Sequence, residues 1–235
     1  MKGRNTAWQA PAGASSSPNA SFSIVPACGT VKIVSLKAAP PREEGVIEAE
    51  FSDGSRLLFL SEYLPDGLKA DLDDGRELNA QEEEAMRFAA SCYQAEKNAL
   101  RLIARAEQSV LGVTAKLERR GYDHPVVKAV VSRLLDRDLL NDERFAKLWV
   151  HSRLSYGKTQ SPLWLRVSLG KKGIDRNLAA NAVESLLDPE TEYALLLRYL
   201  EKAGLSGGRN ESFLKTHLKS EGFSYEVLDR YFDLL

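Results

Sequence analysis

The side chains of this 235-residue chain that are best suited to chemistry are basic, and they occur at one place in a repeated pattern. Arg119-Arg120 and Lys171-Lys172 each fall in the predicted last turn of a helix. Such charges bind phosphate groups or acidic protein surfaces. They also compensate the negative end of a helix dipole, by about 0.3–1 kcal/mol per charge. Both roles stay open, and the two are compatible.

Further basic residues extend these pairs into a candidate stripe, which also includes Lys128 and Arg133. The stretch 97–175 has a net charge of +8, whereas 1–96 carries −6 and 176–235 carries −3. A basic middle of this kind can face a polyanion or an acidic protein. We therefore predict a partner-binding surface made of Lys116, Arg119, Arg120, Arg153, Lys158, Arg166, Lys171 and Lys172.

Aromatic residues accompany this stripe. Tyr122, Phe145 and Trp149 stand at helical spacing among apolar residues and are predicted to lie in the core. Trp164 lies near Lys158 and Arg166 in the sequence, and it is the aromatic residue that we regard as a candidate for contact with a partner.

The sequence offers no catalytic or metal-binding constellation. The three histidines, His124, His151 and His217, are far apart and form no H-x-x-x-H pair. The glycine-rich nucleotide motifs and the G-x-S-x-G nucleophile turn are missing from the sequence. Cys28 and Cys92 lack metal-site spacing and are typical of free thiols in a reducing compartment. We therefore expect a protein that is not an enzyme and has no cofactor or metal.

A threefold repeat must position the basic pairs. Six apolar or glycine positions have offsets of 0, 4, 5, 9, 13 and 17 in every copy, and the copies start 52 and 49 residues apart. A fixed period in this range indicates stacked supersecondary units. The copies are Leu117, Gly121, Tyr122, Val126, Val130, Leu134; Leu169, Gly173, Ile174, Leu178, Ala182, Leu186; and Leu218, Gly222, Phe223, Val227, Tyr231, Leu235.

Each copy predicts a helix, a tight glycine turn and a second helix. The glycine suits the left-handed conformation that ends many helices. Asp123, Asp175 and Ser224 follow the turns and are predicted to cap the next helices. Upstream helices are predicted at 98–107, 142–156 and 190–203, which gives three units of three helices.

A strand-rich segment precedes the repeats. Alternating residues predict strands at 30–36, 46–51 and 56–60, and Asp53-Gly54 indicates a hairpin between the last two. These form a small three-stranded antiparallel sheet, followed by a helical turn at 61–64 and mostly loop at 65–78. A long helix is predicted to begin after the cap residue Asn79.

The predicted fold is mainly α: tandem three-helix, helix-turn-helix-like repeats form an elongated curved body after a small antiparallel β segment. Residues 1–28, rich in small residues, serine and proline, are predicted to be a disordered tail. No secretory signal or membrane span is expected, and we expect a cytoplasmic protein. The sequence gives no oligomeric state, and a monomer is the default expectation. The predicted domains are 29–78 (β-rich segment), 79–138 (long helix and first repeat), 139–188 (second repeat) and 189–235 (third repeat).

The stretch from Asn98 to Leu187 resembles the RecX family. The resemblance rests on "KLERRGY", "LLNDERFAKLWVHSR" and "SLGKKGI", and with the third repeat and the strand-rich segment it covers residues 30–235. Two features depart from the family pattern. Residues 159–164 replace a stretch that more often contains glycine and arginine, and the third repeat keeps one base, Lys219, in place of a pair.

The resemblance implies a regulator that binds the RecA recombinase, in the groove of RecA filaments on single-stranded DNA. Such proteins typically restrain RecA ATP hydrolysis and strand exchange in recombinational DNA repair and the SOS response. Weak direct contact with DNA is compatible with this role. The alternative is an autonomous DNA-binding protein that uses its helix-turn-helix-like units, for which a steep salt dependence is expected.

Overall fold

The computed structural model describes residues 31–38, 45–155, 159–205 and 210–234. Within these ranges the chain is mostly helical, with a small sheet at its N-terminal side, as the sequence predicts. The strands are β1 Val31–Ala38, β2 Val46–Phe51, β3 Arg56–Leu60 and β4 Glu77–Leu78. The helices are α1 Asp66–Ala70, α2 Ala80–Ile103, α3 Val110–Glu118, α4 His124–Asp136, α5 Asp142–Ser155, α6 Pro162–Gly170, α7 Arg176–Glu184, α8 Pro189–Ala203, α9 Glu211–Ser220 and α10 Tyr225–Asp233.

The sheet has four strands in the order β3-β2-β1-β4, and each neighbouring pair is antiparallel. The prediction of three strands was therefore wrong by one. The additional strand, β4, is two residues long, and its Leu78 pairs with Val31. The prediction of mostly loop for 65–78 also missed α1. At five and two residues, α1 and β4 are too short for a hydrophobic pattern to repeat, so no periodic signal marks them.

Helix α2 joins the sheet to the repeats. Asn79 caps the start of α2, as the sequence predicts, and it forms a reciprocal capping box with Glu82. Met86 and Ala89 pack with the buried face of the sheet, whereas Ala95 and Ala99 belong to the core of the first unit. The upstream helix predicted at 98–107 is the last part of α2, so the long helix runs into the first unit and ends at Ile103. The stretch 80–106 contains no glycine or proline that would interrupt it.

The helices form three units, α2–α3–α4, α5–α6–α7 and α8–α9–α10, as the repeat predicts. In each unit the residue after the glycine donates its backbone N–H to the carbonyl of the repeat leucine, for example Tyr122 to Leu117 at 3.3 Å. The φ angles of Gly121, Gly173 and Gly222 are +88°, +86° and +88°. This hydrogen-bond pattern satisfies the free carbonyls of the helix end, and the left-handed φ favours glycine.

The predicted helix caps form in two of the three units. Asp175 accepts a hydrogen bond from Asn177 N, and Ser224 accepts one from Val227 N. Asp123 makes no side-chain cap bond, so that prediction was wrong. Pro125 occupies the second helical position there and has no N–H, which removes one of the donors that a cap residue uses.

Each unit has its own apolar core. The repeat leucines Leu117, Leu169 and Leu218 lie fully buried in three separate clusters. Leu154 and Leu187 contact the clusters of both the second and the third unit. Cys92 is buried in the first cluster, and its desolvation raises the pKa of the thiol to about 12. Within the described residues, no helix is long and apolar enough to cross a membrane.

Candidate partner-binding surface

The first and second units meet where α3 begins. Ser109 caps α3 by accepting from Gly112 N, and its hydroxyl donates to the carbonyl of Lys172 at 2.9 Å. The N–H of Val110 donates to Asp142 Oδ1 at 2.9 Å. The glycine turn of the second unit thus lies directly against the N-terminal end of α3.

Gly173 is needed at this contact as well as for its positive φ. A Cβ atom on Gly173 would lie 2.5 Å from Leu111 Cβ, closer than two carbon atoms can approach without displacement. The junction therefore fixes the main chain that carries the basic pair Lys171-Lys172.

The second and third units meet in the corresponding way. Leu163 N donates to Glu221 O at 2.9 Å, and a Cβ on Gly222 would lie 3.2 Å from Leu163 N. Arg166 is half-buried at this junction and its Nη2 donates to Gly222 O at 3.4 Å. Arg166 thus has an internal contact that the sequence did not indicate.

The predicted basic residues that the structure describes lack salt bridges to carboxylates. Lys158 lies outside the described residues, and of the other seven none forms a salt bridge within the described part of the chain. Neighbouring bases differ, because Arg144 pairs with Glu107 at 2.9 Å and Lys147 pairs with Glu143 at 2.6 Å. The unpaired cations leave a positive potential that an anionic partner can neutralise.

The structure brings two of the predicted cations together on an aromatic ring. The guanidinium carbon of Arg153 lies 4.9 Å from the centroid of the Trp149 ring, and Lys172 Nζ lies 5.6 Å from it. The Trp149 and Trp164 rings are stacked, with centroids 6.1 Å apart and planes at 18°. We call Trp149, Arg153, Trp164 and Lys172 the tryptophan cluster. Its members come from α5, α6 and the turn after α6.

The remaining cations lie apart from this cluster. Lys171 is exposed beside Lys172, at the C-terminal end of α6. Arg119 and Arg120 are exposed at the end of α3, and Arg119 Nε donates to Ala115 O within its own helix. Lys116 donates to Gln108 Oε1. Within the described residues, no hydrogen bond, salt bridge or cation–aromatic contact connects these three cations of the first unit to the tryptophan cluster.

Arg133 of the wider stripe has an internal role. Its Nε lies 3.2 Å from Glu96 Oε2, and the Glu96 side chain is 4% exposed. Tyr63 Oη donates to the same Glu96 oxygen at 2.7 Å. Burial, followed by the nearby Glu96 carboxylate, raises the pKa of Tyr63. This network ties the β segment to α2 and α4, and it neutralises Arg133 inside the protein.

The aromatic residues divide as predicted. Phe145 and Trp149 are partly buried against the core of the second unit, and Tyr122 is partly buried against that of the first. Tyr122 Oη also accepts from Asn98 Nδ2 at 2.7 Å. Trp164 is 42% exposed, with Val167 exposed one helical turn further along the same face.

The histidines lie in separate places. His124 Nδ1 is 3.2 Å from Glu118 Oε1, and His217 contacts Tyr199 at 3.4 Å. Among the described residues, no group of three or more His, Cys, Asp and Glu side chains could hold a metal ion.

These features define a class: a tandem three-helix repeat protein in which cations without salt bridges, among the predicted residues that the structure describes, lie on the first two units. Comparison with known proteins gives the family. A model of the RecX first three-helix domain matches residues 95–134, and a model of the RecX second three-helix domain matches residues 141–183. The chain belongs to the RecX family of regulatory proteins.

Similar proteins and a solved structure support the same family and fold. The regulatory protein RecX of Treponema pallidum (strain Nichols) is 36% identical over 118 residues, which are 50% of this chain and 71% of the relative. The regulatory protein RecX of Chromohalobacter salexigens is 31% identical over 132 residues, which are 55% of this chain and 84% of the relative. A crystal structure of a regulatory protein RecX has a TM-score of 0.66 at 20% identity, and the match covers 86% of this chain and 99% of that one. This last likeness supports the fold.

Proposed function

We propose that this protein binds the RecA recombinase on single-stranded DNA and inhibits its ATP hydrolysis and strand exchange. In this role it is a cytoplasmic regulator of recombinational DNA repair and of the SOS response, with no reaction of its own. Membership of a family of regulatory proteins supports a regulatory role. RecA as the partner follows from what the resemblance to RecX implies.

The observation that carries the proposal is that the seven predicted cations in the described part of the chain, which all lie in the first two units, form no salt bridge there. A stable monomer has no need for a group of uncompensated like charges, because they repel one another. An acidic groove or a phosphate backbone neutralises these charges, and removal of their repulsion favours binding. The third unit, with its net negative charge, does not extend the stripe.

The first experiment measures ATP hydrolysis by preformed RecA filaments on single-stranded DNA, with this protein added at substoichiometric ratios and physiological salt. We expect a dose-dependent fall. A protein that acts only by covering DNA needs amounts close to the number of sites, so inhibition at low ratios separates filament binding from autonomous DNA binding. Unchanged hydrolysis over the whole titration would contradict the proposal.

A charge-reversal variant tests the basic pair. Lys172 contributes its main-chain carbonyl to the junction, so Lys171→Glu with Lys172→Glu leaves the Ser109 bond intact. We expect the half-inhibitory concentration to rise at least about tenfold, because like charges brought together at an interface cost several kcal/mol. The matched control reverses two exposed lysines outside the stripe, Lys69→Glu with Lys202→Glu, and is expected to inhibit like the parent. Equal inhibition by both variants would exclude a contact role for the pair.

A further inference from the structure

The tryptophan cluster is not required by the junctions on either side of it. The junction with the first unit uses the Lys172 carbonyl, and the junction with the third unit uses Leu163 N and Arg166. The ammonium group of Lys172 takes no part in that junction and lies over the Trp149 ring instead. Trp149 packs against the core of the second unit, but the contacts between units do not explain the positions of the Arg153, Trp164 and Lys172 side chains.

The cluster combines two kinds of binding group. The stacked rings of Trp149 and Trp164 provide an aromatic surface, and 42% of Trp164 remains exposed. Arg153 and Lys172 lie within 5.6 Å of the Trp149 centroid, and neither forms a salt bridge within the described residues. Exposed Lys171 adds a third positive charge next to Lys172 in the chain.

We propose that the tryptophan cluster is a binding site for single-stranded nucleic acid. An unpaired base stacks on the exposed part of Trp164, and the adjoining phosphates contact Arg153, Lys171 and Lys172. Aromatic rings that hold bases and cations that follow the backbone are the two parts of sequence-independent single-strand sites. Duplex DNA does not fit the same site, because its bases are already stacked and paired. The site acts without RecA and goes beyond the proposed function.

The repeat provides an internal comparison. Phe213 occupies the position in the third unit that Trp164 occupies in the second, 49 residues earlier, and Gly112 occupies it in the first. Phe213 is 55% exposed, and its ring stacks on His217 at 6.2 Å. Among the described residues no lysine or arginine lies over Phe213. Cation–aromatic pairs also occur in the third unit, where Lys219 Nζ lies 4.7 Å from the centroid of the Tyr225 ring. The second unit differs in having two stacked rings with two cations over one of them. Phe213 gives a control of equal position and similar exposure.

The test uses the full chain and a thymidine oligonucleotide, with no RecA present. In a Trp8→Phe background the fluorescence reports only Trp149 and Trp164, and we expect the single strand to quench it. Binding of a labelled oligonucleotide, followed by anisotropy, gives the affinity of each variant. We expect Trp164→Ala to weaken binding about 5- to 150-fold, which is the contribution of one base–aromatic stack. Trp164→Phe retains an aromatic face and recovers most of the loss, and Phe213→Ala binds like the parent.

Three results would overturn the proposal. The first is single-strand binding that Trp164→Ala and Phe213→Ala leave equally unchanged. The second is equal affinity for a duplex of the same length, or no measurable binding to either at low salt. The third is a Trp164→Ala variant that binds the oligonucleotide normally but no longer inhibits RecA, which would make the cluster a protein contact. Circular dichroism of each variant checks that the helices are intact.

Discussion

The hydroxyl of Ser109 donates a hydrogen bond to the main-chain carbonyl of Lys172, 2.9 Å away and 63 residues later in the chain. One side chain therefore caps α3 and also holds the turn that carries the basic pair. The Lys172 side chain leaves this turn toward Trp149. Partner binding and unit packing thus use different atoms of the same residue, so each can be altered without the other.

The role of Ser109 is tested against its repeat equivalent, Ser161. Both cap a helix, but Ser161 makes no inter-unit bond within the described residues. We expect each alanine substitution to remove a cap worth about 1 kcal/mol. Ser109→Ala also loses the bond to Lys172 O, for a further 1 kcal/mol or so. Chemical denaturation measures both, and equal losses of unfolding free energy would contradict a stabilising inter-unit bond.

Gly173 is expected to tolerate no side chain, because it has both a left-handed φ and a close neighbour in Leu111. We expect Gly173→Ala to lower the unfolding free energy by about 2–5 kcal/mol, the sum of backbone strain and overpacking. Gly204 is the control, since its φ is +63° and a Cβ there meets nothing within 4 Å. Gly204→Ala should cost about 1–2 kcal/mol from strain alone. Similar losses for the two variants would mean that the junction adjusts to the extra carbon.

The turns of the repeat could be predicted from sequence because their physics is local. A leucine, a glycine four residues later and an apolar residue after it specify one helix ending, and all three endings form. The cap at Asp123 failed for an equally local reason, the nearby Pro125. The basic residues could be named from charge and spacing, but their lack of partners could not.

The contacts that build the site could not be predicted, because they join residues far apart in sequence. Ser109 with Lys172, and Arg153 and Lys172 with Trp149, depend on how one unit packs on the next. Arg133 illustrates the opposite error: sequence assigns it to the stripe, whereas Glu96 draws it inward. The burial of Glu96 has no sequence signal, since glutamate in the middle of a long helix is usually exposed.

The buried pair of Glu96 and Arg133 is expected to be sensitive to removal of one partner. Arg133→Met leaves the Glu96 carboxylate buried without its nearest positive charge, and we expect a loss of about 3–5 kcal/mol. Adding Glu96→Gln removes the unpaired charge and should recover most of that loss. Arg137 is the control, because it lies 4.0 Å from Glu96 and its side chain is mostly exposed. Arg137→Ala should cost at most about 1 kcal/mol in chemical denaturation. No recovery in the double variant would argue against the charge as the cause.

The pH dependence of folding should differ in sign between two aspartates. Burial raises the pKa of Asp142, which accepts from Val110 N at the first junction. The folded protein therefore binds a proton at Asp142 more tightly than the unfolded chain does. Its stability contribution is fully present below the ordinary aspartate pKa, and it is lost as pH rises through the raised pKa. Asp142→Asn keeps an acceptor for Val110 N, so the parent should lose stability relative to this variant as pH rises through the carboxyl range.

Asp188 provides the opposite case. Hydrogen bonds from the Thr191 hydroxyl and backbone N–H lower its pKa at the start of α8. Its contribution to stability is present above the ordinary aspartate pKa and is lost as pH falls through the lowered pKa. The unfolding free energy of the parent should therefore increase relative to that of Asp188→Asn as pH rises. Denaturant unfolding of the parent and both variants, compared at each pH, cancels the titration of all other groups. Differences of the same sign for both aspartates would show that desolvation does not dominate at Asp142.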